Sequence, residues 1–221
     1  MKDGTVQSNR RKVVQYVPQP DTDDSDVYDG HGTHVVGSIL AKRSTDGTVG
    51  GEEAGNLEGM AKDAKVAFFD LGAGNSCCFV PGDTATLFGP GVDAGAKFHS
   101  ASWGNSDSSY SFYSSIFDQF AYDNDDFLSI VAAGNSGTSL NSVGSPATAK
   151  NIIAVGASQS EGRDLYSGNE GMDYLAYFSS RGPTNDGRMK PDLVAPVSFL
   201  QVLSRFLDNL LTYLLLNVHL C

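Results

Sequence analysis

Apolar residues fall in short runs separated by glycine-rich and polar loops, and the runs switch between strand-like and helix-like spacing. Lys12 to Val17 reads as a strand. Val35, Val36, Ile39 and Leu40 share one helical face, which predicts a helix starting at or near His31 after a turn at Asp29 to Gly32. Val66 to Leu71 (VAFFDL) is a continuous apolar run of the kind found in a buried strand. Asp83 to Ala96 reads as a weaker helix interrupted by Gly89, Pro90 and Gly91. Phe98 to Ser102, Phe127 to Ala133 and Ile152 to Val155 are further strands, with a helix around Ser114 to Tyr122 between the first two. This alternation predicts an α/β layered fold, with a mostly parallel sheet flanked by helices and functional groups on loops beyond the strand ends.

The pattern changes at Val197. From Leu200 to Val218 leucines recur at helical spacing without a glycine or proline, which separates a leucine-rich tail (197–221) from the body (1–196). Arg205, Asp208 and Asn209 interrupt the stripe. Its longest unbroken apolar run, Tyr213 to Leu216, falls far short of the roughly 18 to 20 residues a bilayer span needs. No membrane span is expected.

The chain has 221 residues, 40% of them apolar and 19% charged, enough for a sizeable core. Fifteen Lys and Arg against 26 Asp and Glu give a net charge of −11, which repels phosphate backbones and argues against nucleic acid as a partner. Of three cysteines, Cys77 and Cys78 are adjacent and no CxxC occurs, so neither a disulfide framework nor a zinc ribbon is indicated. The acidic stretch from Asp21 to Asp29 invites a calcium reading, but an EF-hand register starting at Asp21 places Asp26 where Gly belongs and Gly32 where Glu belongs. It reads as a solvated loop. MKDGTVQSNRRK at the start contains no apolar core of a signal peptide.

Three segments carry chemistry. In Asp29-Gly30-His31-Gly32-Thr33-His34, an imidazole sits where a glycine-rich turn enters a helix, a placement that suits proton transfer near neutral pH. A zinc reading of His31 and His34 lacks the glutamate of an HExxH motif and a third ligand. Ile130 to Gly137 is a strand ending in Ala132-Ala133-Gly134 and presenting Asn135, whose carboxamide can donate to developing charge on a carbonyl oxygen or can simply favour a turn. The third is Phe178-Ser179-Ser180-Arg181-Gly182-Pro183, followed by Lys190-Pro191-Asp192-Leu193-Val194-Ala195-Pro196.

With Ser102-Trp103-Gly104, these segments occur in an order that resembles the subtilases, the subtilisin-like serine peptidases, over roughly Lys12 to Pro196. The resemblance implies a subtilisin-like fold and His31 as the general base, with His34 structural. Asn135 then completes the oxyanion hole, while the backbones of Ser102, Trp103 and Gly104 and of Ala132, Ala133 and Gly134 flank an extended peptide substrate. It also implies a monomer acting on polypeptides outside the cell, no cofactor for the chemistry, and scope for structural calcium. Pro146 matches a family proline that is commonly cis.

Two family segments have no match. Asp3-Gly4-Thr5 is the only early stand-in for the acidic motif and has no strand before it, and no GTSMA nucleophile segment follows Asp192. Gly137-Thr138-Ser139 spells GTS but is out of order, and Leu140-Asn141 follows it. The expectation is a subtilisin-like fold truncated at both ends and inactive as it stands, since in subtilisin loss of the serine alone lowers turnover about two million-fold. A non-catalytic peptide-binding or inhibitory pseudoprotease is the alternative.

Overall fold

A computed structural model describes residues 4–18, 30–42, 58–72, 79–159 and 170–196, and the backbone of 218–220. Asp3, the acidic stretch at 21–29, all three cysteines and tail residues 197–217 lie outside the described residues. The chain divides into two compact units. The first holds 1–81, 85–99 and 207–221; the second holds 82–84 and 100–206.

In the first unit, β1 (Val13–Val17) and β2 (Val66–Phe69) pair in parallel, with Tyr16 opposite Phe68 and Val17 opposite Phe69. The expected strand to Leu71 ends at Phe69 because Asp70 turns the chain, its carboxylate accepting from the Gly72 amide at 2.9 Å and from the Tyr16 hydroxyl. Helix α1 (His31–Leu40) lays Val36 and Leu40 against Val66, with Val13, Val35 and Ile39 around them. The last turn of a helix leaves carbonyls without intrahelical donors. Here Gly59, Met60 and Ala61 supply them, donating to the carbonyls of Ala41, Ser38 and Ile39 at 2.8, 3.2 and 2.6 Å. Only glycine fits at 59, since an added Cβ would lie 2.5 Å from the Ile39 carbonyl carbon.

Helix α2 (Thr84–Asp93) runs unbroken through Pro90, where the sequence predicts an interruption. A proline inside a helix costs about 3 kcal/mol, and full burial of two side chains such as Leu87 and Phe88 returns as much or more. Phe88 meets His99 edge to face, with ring centroids 5.0 Å apart. His99 is fully buried, and that burial pulls its imidazole down to about pKa 3.

In the second unit the strands follow the order β6-β5-β4-β3, with β4 (Leu128–Ala132), β5 (Ile153–Ser158) and β6 (Leu193–Pro196) parallel. β3 (Phe98–Ser102) begins in the first unit and ends in the second. Helix α3 (Phe112–Asp123) presents Tyr113 and Phe117 to Trp103, at 5.4 and 5.9 Å between centroids. Buried Asp118 of α3 accepts from the amides of Lys150 and Asn151 and from the Tyr110 hydroxyl, which fixes the helix to the loop entering β5. Burial and this carboxylate push the Tyr110 phenol up to about 12.

These are the parallel sheet and flanking helices the sequence predicts. β6 is an addition, its four residues closing the KPDLVAP segment with Pro196 as the last of them. In the tail, β7 (Val218–Leu220) is a strand in the first unit beside α1 and β2, so Val218 does not lie on the expected helix. Among the described residues no helix is long and apolar enough to cross a membrane.

Two outcomes follow. Gly59→Ala should lower stability by about 1–3 kcal/mol, read as a fall in the urea midpoint. Because folded His99 titrates near 3 and an unfolded histidine near 6.5, the unfolded chain binds the extra proton between those values. His99 thus removes about 1.4 kcal/mol per pH unit as pH falls below 6.5. In urea melts from pH 7 to pH 4, His99→Leu should show a correspondingly shallower loss than the parent chain.

Candidate active site

His31 is the first residue of α1 and stands in the first unit. Gly30 before it adopts φ 71° and ψ 33°, a left-handed conformation open to glycine at little cost, and its carbonyl accepts from the His34 amide at 2.8 Å. The chain thereby turns into the helix within one residue. The imidazole ends up half-buried at the start of a helix whose opposite face is locked to β1 and β2. His34 lies one turn on and is also half-buried, while the Ser38 hydroxyl donates to its carbonyl.

The other predicted residues stand in the second unit, at the ends of adjacent strands β3 and β4. Ser102, Trp103 and Gly104 leave β3; Ala132, Ala133, Gly134 and Asn135 leave β4. The segment Gly144-Ser145 brings the two exits together. Its Gly144 amide donates to the Ala133 carbonyl at 3.1 Å, and its Ser145 carbonyl accepts from the Asn105 amide at 2.9 Å. Side chains are excluded at these approaches, because a Cβ on Gly104 would come within 2.6 Å of the Ser145 oxygen and one on Gly144 within 1.7 Å of the Asn105 oxygen. Ser145–Pro146 is cis, as the resemblance implies.

Asn135 is fixed from behind by Ser180. The Ser180 amide donates to the Gly134 carbonyl and the Ser180 hydroxyl accepts from the Ser136 amide, each at 3.0 Å. Gly137 adds a bond to the Phe178 carbonyl at 2.9 Å. Between these ties Gly134 takes φ 110°, and Ser180 Oγ lies 2.9 Å from where its Cβ would be. The Asn135 side chain is exposed, and its carboxamide makes no hydrogen bond among the described residues. An exposed neutral amide on a turn whose backbone is tied on both sides is suited to donate to an incoming oxyanion.

Sequence reasoning quoted the SSRGP and KPDLVAP segments without giving their residues work. Ser179 Oγ accepts from the Ala157 amide at 2.9 Å, beside Ser180's ties to the Asn135 turn. Buried Lys190 pairs with Asp192 at 2.6 Å, and the same carboxylate accepts from the Ala154 amide of β5 at 2.7 Å. Ser139 of the GTS decoy is an exposed loop residue, its amide bonded to the Gly137 carbonyl and its carbonyl to the Ser142 hydroxyl. Among the described residues no cluster of three or more His, Cys, Asp and Glu could hold a metal ion.

A model of the subtilase family matches residues 3–211. The chain belongs to the subtilase family. It is 31% identical over 268 residues to the serine protease/ABC transporter B family protein tagD of Dictyostelium discoideum, an alignment covering 89% of this chain and 14% of that protein. Among solved structures it is similar to a psychrophilic protease, at 26% identity and a TM-score of 0.53, covering 88% of this chain and 64% of that one. Sphericase shares the fold at 24% identity and a TM-score of 0.56, with 89% and 64% covered. This subtilase chain therefore spans less than two thirds of those structures and about a seventh of the tagD protein.

Ser180→Ala should leave the Ser136 amide without its acceptor, costing about 0.5–1.5 kcal/mol locally. Hydrogen exchange should speed up at Ser136 and leave the amides of the β4–β5 ladder unchanged.

Proposed function

We propose that this subtilase chain is the central part of a serine endopeptidase acting on polypeptides outside the cell. Peptide-bond hydrolysis proceeds through an acyl-enzyme whose nucleophile and acidic triad member come from segments this sequence does not match. His31 takes the serine proton on attack and returns it to the leaving amine. Asn135 donates to the oxyanion that forms on the scissile carbonyl. Main-chain groups of Ser102 to Gly104 and Ala132 to Gly134 hold the substrate extended by strand-like hydrogen bonds. The exposed Asn135 carboxamide at the end of β4, held by Ser180 and left without an internal partner, carries this reading. The chemistry uses no cofactor, and calcium would contribute to stability alone. The working unit is a monomer.

Labelling with a fluorophosphonate probe tests the assignment. The 221-residue chain should not react. A version completed with the family's acidic strand and serine-bearing segment should react and cleave casein. In that version His31→Ala should abolish labelling, and Asn135→Leu should lower kcat about 10²- to 10³-fold with little change in KM. Undiminished labelling of the His31→Ala protein would contradict the proposal.

A further inference from the structure

Behind the exits of β3 and β4 in the second unit, the chain from Ser142 to Ala149 is buried throughout. Main-chain bonds fasten it to both exits. The Gly144 amide donates to the Ala133 carbonyl at 3.1 Å, the Asn105 amide to the Ser145 carbonyl at 2.9 Å, and the Ser145 amide to the Asp107 carbonyl at 3.0 Å. Ser145 thus commits both its main-chain groups to the loop that leaves β3. Its side chain is committed as well. With the residue 1% exposed, the Ser145 hydroxyl bonds to the hydroxyl of Ser111 and, at 3.0 Å, to that of Ser114. Ser114 Oγ reaches Thr148 Oγ1 at 2.7 Å, and Thr148 Oγ1 donates to the Ser109 carbonyl at 2.9 Å. Ser111 precedes α3 and Ser114 lies in its first turn, so this chain of hydroxyls pins Ser145 to the start of the helix. A buried hydroxyl network whose members are all paired is stiff, because shifting one leaves its neighbours unsatisfied where water cannot replace it.

This segment forms a floor between the two exits, and it stands high. A Cβ on Gly144 would lie 1.7 Å from the Asn105 oxygen, and one on Gly104 would lie 2.6 Å from the Ser145 oxygen. Peptide oxygens therefore already fill the space that a long side chain would need there. Main chain bonded on both sides does not swing aside as the end of a flexible side chain does, so forcing it apart carries the cost of an overpacked interior.

We propose that the slot between Ser102–Gly104 and Ala132–Gly134 takes a small substrate side chain, that of glycine, alanine or serine, and that Ser145 is the positioning residue that sets this limit. The limit rests on a peptide lying along the two exits, as in the peptidase reading above. Ser145 acts through the floor: its hydroxyl holds the main chain of Gly144 and Ser145 at a height that larger side chains meet and small ones clear.

NMR titration of the 221-residue chain with N-acetyl tetra-alanine amide tests it, since binding requires no nucleophile. The alanine on the floor is the one whose methyl group shows NOEs to the α-protons of Gly104 or Gly144. Serine in its place should leave Kd within about twofold, while leucine or phenylalanine should raise it about tenfold or more. Phenylalanine at the other positions should escape that penalty. Ser114→Ala, which cuts the hydroxyl chain away from the slot itself, should lower the ratio of phenylalanine to alanine Kd values several-fold, with its circular dichroism spectrum checked against the parent. A general loss of packing would weaken both peptides and leave that ratio as it was. Equal binding of the alanine and phenylalanine peptides by the parent chain would overturn the size limit while the cleft reading stands, and binding of no peptide would contradict both. An unchanged ratio in Ser114→Ala would overturn the role of Ser145.

Discussion

A carboxamide pointing into solvent at the end of a strand is not self-supporting, because asparagine tends to fold back on its own turn. Two hydrogen bonds from Ser180, one on either side of Asn135, prevent that. They fix the carbonyl of Gly134 and the amide of Ser136, so that the residue between them has no remaining backbone freedom to spend on a local turn. Gly134 is required there because φ 110° leaves no place for a Cβ next to the Ser180 hydroxyl. Ser179 meanwhile ties the same segment to β5, and Gly144-Ser145 ties the exits of β3 and β4 to each other.

The interior charges serve the same end. A buried lysine or aspartate is costly unless paired and hydrogen-bonded. Lys190 has Asp192, and Asp192 also accepts from Ala154, so a charge pair fixes where β6 starts against β5. Asp118 is answered by two amides and the Tyr110 hydroxyl. In the first unit the end of α1 is closed by main-chain donors from Gly59 to Ala61, which holds the helix that begins with His31.

The sequence made the periodic elements readable: β1, α1 and β3 fall where the spacing of Lys12 to Val17, Val35 to Leu40 and Phe98 to Ser102 puts them. It failed where tertiary contacts overrode local chemistry. Pro90 argued for a break in α2, but Leu87 and Phe88 in the turn before it are fully buried and hold the helix together. Asp70 looked like part of an apolar strand, and its carboxylate instead caps the strand's end. Of the residues proposed for the site, His31 and Asn135 stand in motifs that the sequence displays. The role of Ser180 was not legible, because it depends on a turn 44 positions earlier in the chain.

The proposed function requires that one bound peptide engage both His31 and Asn135. Titration of the chain with an unlabelled tetrapeptide amide, followed by NMR at the His31 imidazole and the Asn135 carboxamide, tests it without requiring turnover. Both signals should move along a single binding curve with the same Kd. Movement of one signal while the other stays fixed at saturation would contradict the account.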